Sequence, residues 1–365
     1  QIAMSDANEL ISFIASMSGE GNLRVEENLG DGYVRLRVSE AERRQAKHDI
    51  QHTEDIVIEM LRNARDAGAH VIYIATQKEE GVRTLLFLDD GSGVPHDMQE
   101  RIFDARVTSK LETMKMDRWG VHGRGMALFS IKQNSRSAEV VESDVGLGSV
   151  FRVVVDTARL KERADQSTWP QSSKDDSGRY ACVRGPHNII RTACEFSLEE
   201  LHGCDVYLGT PTEIAATLYA HAVHELDASR LLFLESEAEL PVVSRLGYAA
   251  DAPNFIRIAR SLGLELSERT AHRILAGTIS PIRSVSARLL RERIDPADRP
   301  KKEIDLSRDR RGLKIGSEDL SRFSRAVERD FNDLAERYYI NLTGDPKIRV
   351  GKDRITVTFE LAKEE

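Results

Sequence analysis

The sequence predicts an α+β chain, and three stretches carry that reading. A breaker-poor run from about Glu40 to Gly68 places Val57, Met60, Leu61 and Ala64 on one helical face and Glu59, Asn63 and Asp66 on another. A pair of β-rich runs follows, Val71 to Ala75 and Leu85 to Leu88, the second ending abruptly in Asp89-Asp90-Gly91-Ser92-Gly93. Further on, Gly120 to Gly125 (GVHGRG) stands directly before an apolar helix, Met126 to Lys132.

The remaining elements are read in chain order. Val94 to Trp119 is polar and loop-like, with a short helix near Met98 to Phe103. Strands fit Ala138 to Glu142 and Ser149 to Asp156, and Asp165 to Arg179, rich in Ser, Asp and Gln, reads as an exposed loop or linker. Asp205 to Leu208 predicts a strand, Thr212 to Leu226 a helix and Arg230 to Leu234 another strand. Two helices, Asn254 to Leu262 and Ser267 to Ala276, flank Gly263, and a long helix from Ser317 to Tyr338 precedes strands at Lys347 to Val350 and Arg354 to Leu361.

Composition narrows the function classes. At 365 residues the chain suits two or three domains, and 40% hydrophobic with 31% charged residues excludes both a membrane protein and a mostly disordered one. A net charge of −8 excludes a blanket positive field, although Arg283 to Lys314 holds 11 basic against 6 acidic residues, a modest cluster that suits either an ordinary mixed-sign surface or a nucleic-acid face. Cys182, Cys194 and Cys204 form an odd set without a C-x-x-C pair, which argues for reduced thiols. Asp6 and Glu9 interrupt the apolar start, so it does not read as a signal peptide, and no run approaches the roughly 18 uncharged apolar residues of a membrane helix. The expectation is a cytoplasmic protein with no membrane partner.

Three motifs carry chemistry. Glu59 and Asn63, spaced i,i+4, point the same way from one helix: a carboxylate to hold a water and an amide oxygen to offer Mg²⁺, a pairing suited to nucleotide hydrolysis. Asp89, ending its strand in D-x-G-x-G, can accept from the exocyclic amine of adenine, while Gly91 and Gly93 allow close backbone approach. The G-x-x-G-x-G of Gly120, Gly123 and Gly125 offers backbone N–H groups and a helix dipole to phosphates. Each alone also suits a solvated helix face, a simple turn or a flexible loop; their order along the chain makes the combination specific. Cys182, His187, Cys194, His202 and Cys204 match no compact zinc spacing and read as structural, as do His221 and His224 on their helix.

The stretches EMLRNARDAGA (Glu59 to Ala69), DDGSGV (Asp89 to Val94), Thr108-Ser109-Lys110 and GVHGRGMALFSI (Gly120 to Ile131) resemble the GHKL ATPases, the superfamily of gyrase, Hsp90, histidine kinases and MutL. Within it, the likeness is greatest to MutL and to the B subunit of topoisomerase VI. The resemblance implies a Bergerat-type two-layer α/β sandwich, a small helical module and a short α+β C-terminal segment. It divides the chain into an ATPase domain over residues 1–245, with core motifs at 45–156, an H2TH-like module at 250–295, and a segment at 300–365 akin to a truncated transducer.

The resemblance also implies roles. Glu59 becomes the general base, Asn63 the ligand of Mg²⁺, and Asp89 the reader of adenine in ATP. The backbone from Gly120 through Val121, His122, Gly123, Arg124 and Gly125 to Met126 binds the triphosphate. Val94 to Trp119 becomes a lid in which Thr108, Ser109 and Lys110 approach the phosphates, and Asp66, Gly91, Gly93 and Ser149 complete the nucleotide pocket. Lys314, Lys347 and Lys352 are all candidates for a γ-phosphate lysine. The implied function is Mg²⁺-dependent ATP binding and slow hydrolysis, coupled to homodimerisation and to DNA topology or repair, with duplex DNA and a further protein as partners. A nucleotide-dependent switch with little turnover stays open beside it. His48 and His52 lie too close to Asn63 to be the phosphoacceptor of a histidine kinase.

Overall fold

A computed structural model describes residues 25–109, 115–117, 120–122, 125–163, 165–174, 180–199, 203–226, 234–291, 317–338, 340–344, 346–350 and 355–363. The chain divides into two compact units, Gln1–Ile294 and Asp295–Glu365.

In the first unit, β1 (Val25–Gly30) and β2 (Tyr33–Leu36) form a hairpin before α1 (Glu40–Asp49) and α2 (Thr53–Asp66). There follow β3 (Val71–Glu79), β4 (Val82–Asp89), β5 (Val107–Thr108), β6 (Lys115–Asp117), β7 (Gly120–His122), α3 (Ala127–Asn134), β8 (Ser137–Ser143) and β9 (Ser149–Asp156). The later part comprises β10 (Gln171–Lys174), β11 (Tyr180–Arg184), α4 (Ile189–Glu199), β12 (Asp205–Gly209), α5 (Pro211–Glu225), α6 (Ala252–Ser261), α7 (Glu268–Leu275) and α8 (Val285–Arg291).

The central sheet is mixed, with strand order β12-β3-β4-β9-β8; β12 runs parallel to β3 and the other pairs are antiparallel. Alternation decides which residues face which layer. Leu85, Phe87, Phe151 and Val153 point to one face, where Ile56, Val57, Met60 and Leu61 of α2 and Ile131 of α3 complete a core. Leu86, Leu88 and Val150 point to the other, which Ile214 and Leu218 of α5, Phe255 and Ile258 of α6 and Ile274 of α7 cover. The two-layer arrangement of α2 and α3 on the sheet is thus joined by a second helical layer from later in the chain.

The expected helix from Glu40 to Gly68 is two helices. Ser39 and Glu42 cap α1 reciprocally, Ile50 leaves it in extended backbone, and α2 restarts where Asp55 Oδ2 accepts from the backbone N–H of Gln51 (2.9 Å) and His52 (2.8 Å). A carboxylate at the third helical position satisfies donors that the helix itself leaves orphaned, so the break is written in Asp55 rather than in any glycine or proline. Val94 to Val107 also departs from the expected polar loop. It contains short 3₁₀ turns at His96–Met98 and Arg101–Phe103, and Val94, Met98, Ile102, Phe103 and Val107 are buried in the α2-side core. Within Asp165 to Arg179, residues Gln171–Lys174 pair with β11 as a hairpin. The expected strand at Arg230 to Leu234 falls largely outside the described residues.

The second unit holds a helix, α9 (Ser317–Tyr338), and two small antiparallel pairings: Ile340–Leu342 with Leu361–Lys363, and Lys347–Val350 with Ile355–Thr358. Phe331 and Phe359 stack within it, ring centroids 4.1 Å apart. None of the helices among the described residues is long and apolar enough to cross a membrane.

Candidate functional site

Helix α2 buries one face and leaves a stripe in which Glu59, Arg62, Asn63 and Asp66 recur at helical spacing. Arg62 Nη1 donates to Glu59 Oε1 at 2.6 Å, with the arginine side chain 5% exposed and the glutamate 21%. Asn63 Nδ2 is buried and has no hydrogen-bond partner among the described residues. A buried amide donor without an acceptor costs about 1–3 kcal/mol, so a group that offers an anionic oxygen there is favoured. Asp66 Oδ1 accepts from Arg65 Nε at 3.2 Å.

The helix ends against the aspartate turn. Gly68, at φ +78°, stops α2 in the left-handed conformation, and the carbonyl of Ala67 accepts from the backbone N–H of Ser92 at 2.9 Å. Asp90 Oδ1 clasps the other side, accepting from the N–H of His70 (2.8 Å) and of Val71 (2.9 Å). Asp89, 3% exposed, closes β4 on the α2-side face, and its Oδ1 accepts from Gly91 N–H at 2.9 Å. A buried carboxylate at the end of a strand is a directional acceptor.

The glycines of this turn have an internal cause beyond ligand approach. A Cβ on Gly91 would stand 2.8 Å from Asp89 Oδ1 and 3.1 Å from Ala67 Cβ; one on Gly93, at φ +73°, would stand 1.8 Å from the carbonyl oxygen of Asp144. Ser143 ties the loop together: its Oγ accepts from Val94 N–H at 2.8 Å, donates to the Gly148 carbonyl at 2.9 Å and lies 3.0 Å from Ser149 Oγ. Ser149 pairs directly with Asp89 across β4 and β9, so the two side chains share one face of the sheet. Asp66, Asp89, Gly91, Gly93, Val94 and Ser149 are therefore gathered at one end of the sheet, with Asn63 and Glu59 about one and two turns back along α2.

The second cluster is less complete. Thr108 lies in β5, paired with Val34, and Ser109 is hydrogen-bonded to Tyr33, whose hydroxyl burial pushes up against the opposing pull of that bond. Gly120, Val121 and His122 form β7, with Met116 opposite Val121, so the first glycine of the motif stands in a two-stranded ribbon and not at the helix mouth. The glycine step adjoining α3 is Gly125, φ +66°, whose carbonyl accepts from Arg106 N–H at 2.9 Å, followed by Met126 at the N-cap. Lys110, Gly123 and Arg124 lie outside the described residues, as do Lys314 and Lys352; Lys347 is ion-paired with Glu360.

Arg62 and Ser143 are the residues that sequence reasoning passed over. Arg62 had a signal, since a cation at i+3 from Glu59 is within reach of it. Ser143 had none, because its partners are backbone groups in distant segments. Among the described residues there is no group of three or more His, Cys, Asp or Glu that could hold an ion, and His202 falls outside them. Cys194 and Cys204 are buried in the core.

A helix carrying a carboxylate and an amide one turn apart, seated on a mixed sheet in which β4 ends in a buried aspartate, is an α+β arrangement in keeping with the resemblance to the GHKL ATPases. Residues 50–170 match the family model described as "Histidine kinase-, DNA gyrase B-, and HSP90-like ATPase", so this segment of the chain is similar to that family. It is similar to the DNA mismatch repair protein MutL of Thermodesulfovibrio yellowstonii, 35% identical over 89 residues, 24% of this chain and 16% of the relative. MutL of Leptospira biflexa serovar Patoc is 35% identical over 114 residues, 30% of this chain and 18% of the relative. The chain thus spans less than a fifth of the length of each of these curated relatives. A solved structure of full-length ShkA in complex with AMPPNP aligns at 16% identity over 56% of this chain and 46% of that one, with a TM-score of 0.22.

Proposed function

We propose that the chain binds ATP with Mg²⁺ and hydrolyses it slowly. The observation that carries this reading is the orphaned, buried Asn63 amide, one helical turn from a carboxylate already held in place. A flip of that amide would present Oδ1 instead of Nδ2, so the residue fits a hard cation as well as a phosphate oxygen. Mg²⁺ binds through one or two protein oxygens together with substrate phosphates, so Asn63 alone suffices as its protein ligand; the ion would neutralise charge on the transferring phosphoryl group.

The protein's own residues supply the rest. Glu59 accepts a proton from the attacking water and orients it. Asp89 accepts from the adenine amine, with Ser149 beside it on the same face, and the Asp89 to Val94 turn shapes the base pocket. Gly125 and Met126 receive the phosphates at the start of α3, and the run from Gly120 to Arg124 leads into them. Because Val94 to Val107 is packed into the core, the lid in this reading begins at Thr108.

The likeness to MutL supports a process in DNA repair or topology, with ATP-driven pairing of two copies and duplex DNA or a further protein as partner. Light scattering with a non-hydrolysable ATP analogue tests the pairing: a doubled mass is expected, and an unchanged monomer contradicts it. Calorimetry with Mg²⁺ and ATP tests the site itself, with saturable binding expected and none at millimolar nucleotide counting against it.

A further inference from the structure

We propose that Arg106 is a positioning residue for the triphosphate, setting the peptide that opens α3 so that its N–H faces a phosphate. The proposal rests on the ATPase reading of the site and adds to it a residue that the sequence motifs do not include. Arg106 has a left-handed backbone, φ +63°, which few residues other than glycine, asparagine and aspartate adopt, and it is 7% exposed. Both of its backbone polar groups are engaged: the N–H donates to the Gly125 carbonyl at 2.9 Å, and the carbonyl accepts from Leu36 N–H at 3.0 Å. Nη2 of the side chain is paired with the Glu42 carboxylate of α1, whose other oxygen accepts from Ser39 N–H at 2.8 Å. Nε is buried with no hydrogen-bond partner among the described residues. A strained backbone and an unsatisfied donor at one residue mark a position that its surroundings hold against its own preference.

What Arg106 holds is the step into α3. Across the trans peptide between them, the Gly125 carbonyl and the Met126 N–H point in opposite directions. With the carbonyl fixed on Arg106, the Met126 N–H is turned away from it, among the donors at the start of α3 that have no intrahelical partner. Such donors, together with the helix dipole, favour an anion. Gly125, at φ +66°, has little room for a side chain here, since a Cβ would stand 3.0 Å from the Val107 carbonyl oxygen and 3.2 Å from the Arg106 carbonyl carbon. Backbone lies on backbone, and the Glu42 pair anchors Arg106 in the left-handed region. Released from that anchor, the residue returns to an ordinary negative φ and its N–H leaves Gly125. Donors already oriented need no rearrangement when the phosphate arrives.

The test is displacement of a fluorescent ATP analogue by Mg²⁺-ATP and by adenosine, which carries the base without phosphates, on the full chain, Arg106→Ala and Arg106→Lys. Arg106→Ala is expected to weaken ATP by about 10-fold and to leave adenosine within about twofold of the parent. Arg106→Lys keeps a cation that reaches Glu42 and is expected to stay within about threefold of the parent for ATP. Unchanged ATP affinity in Arg106→Ala, or equal weakening of ATP and adenosine, overturns the proposal and leaves the ATPase reading intact. A parent that binds neither ligand sinks both. If Arg106→Ala fails to fold, as urea denaturation would reveal, Glu42→Gln decides, because glutamine still caps α1 while the anchoring charge is lost. It is expected to weaken ATP about threefold or more with adenosine unmoved, and an unaltered ATP affinity there overturns the proposal.

Discussion

Asp89 is a buried carboxylate placed by the strand it ends and by the glycine turn that follows. One oxygen already accepts from Gly91 N–H, and hydrogen bonds to a charged acceptor contribute about 1.5–3 kcal/mol. Asp89→Asn is therefore expected to weaken ATP binding by about 10- to 100-fold in calorimetry, with urea unfolding little changed; unchanged affinity would remove the adenine role. Much at this scale was legible. Glu59, Asn63 and Asp89 stand out by type and spacing, because helical and strand periods fix which way side chains point. The purpose of Gly91 and Gly93 was only half legible: a glycine shows that a Cβ is excluded, but not that the excluding atoms belong to Ala67, Asp89 and Asp144.

Among the elements, the turn from Asp89 to Val94 is where local conformation and long-range contact depend on each other most. Gly93 combines positive φ with an Asp144 carbonyl where its Cβ would be, so Gly93→Ala cannot be accommodated without moving either β4 or the β8–β9 loop. It is expected to lower unfolding free energy by about 3 kcal/mol or more, as read from urea denaturation, and a loss below about 1 kcal/mol would show that the loop yields freely. Elements with a strong apolar period were visible in the sequence, α2, β4 and α9 among them. Those missed have physical reasons. β1 (VEENLG) is mostly exposed and lacks alternation, although Asp31-Gly32, with φ of 50° and 79°, is a hairpin signal that could have located it. Helix α4 was obscured because its cysteine was weighed as a metal ligand, whereas Cys194 lies with Ile189, Ala193 and Phe196 on its buried face.

For the whole molecule, the two faces of one sheet serve different ends. The α2 face carries the candidate site, and the opposite face is sealed by α5, α6 and α7 around Tyr73, whose hydroxyl lies 2.6 Å from His221 Nδ1. Burial lowers the His221 pKa below its ordinary value, against the opposing charges of Glu225 and Asp205, and burial raises that of Tyr73. The sign follows from linkage: the unfolded chain binds the proton more readily, so stability is full above about pH 6.5 and declines as pH falls toward the lower folded value. Urea midpoints are expected to drop between about pH 7 and about pH 5.5, and His221→Gln to flatten that slope. A slope unaltered by the substitution would assign the effect to another group.

Central to this account is that Glu59 activates water for attack on bound ATP, and steady-state hydrolysis with Mg²⁺ by the parent chain beside Glu59→Ala, with and without duplex DNA, tests it most directly. The account predicts measurable turnover in the parent, a loss of about 100-fold or more in Glu59→Ala, and ATP affinity retained in both. Equal turnover in the two proteins, or none in a parent that binds ATP normally, would contradict it, and the second result would make the chain a nucleotide switch.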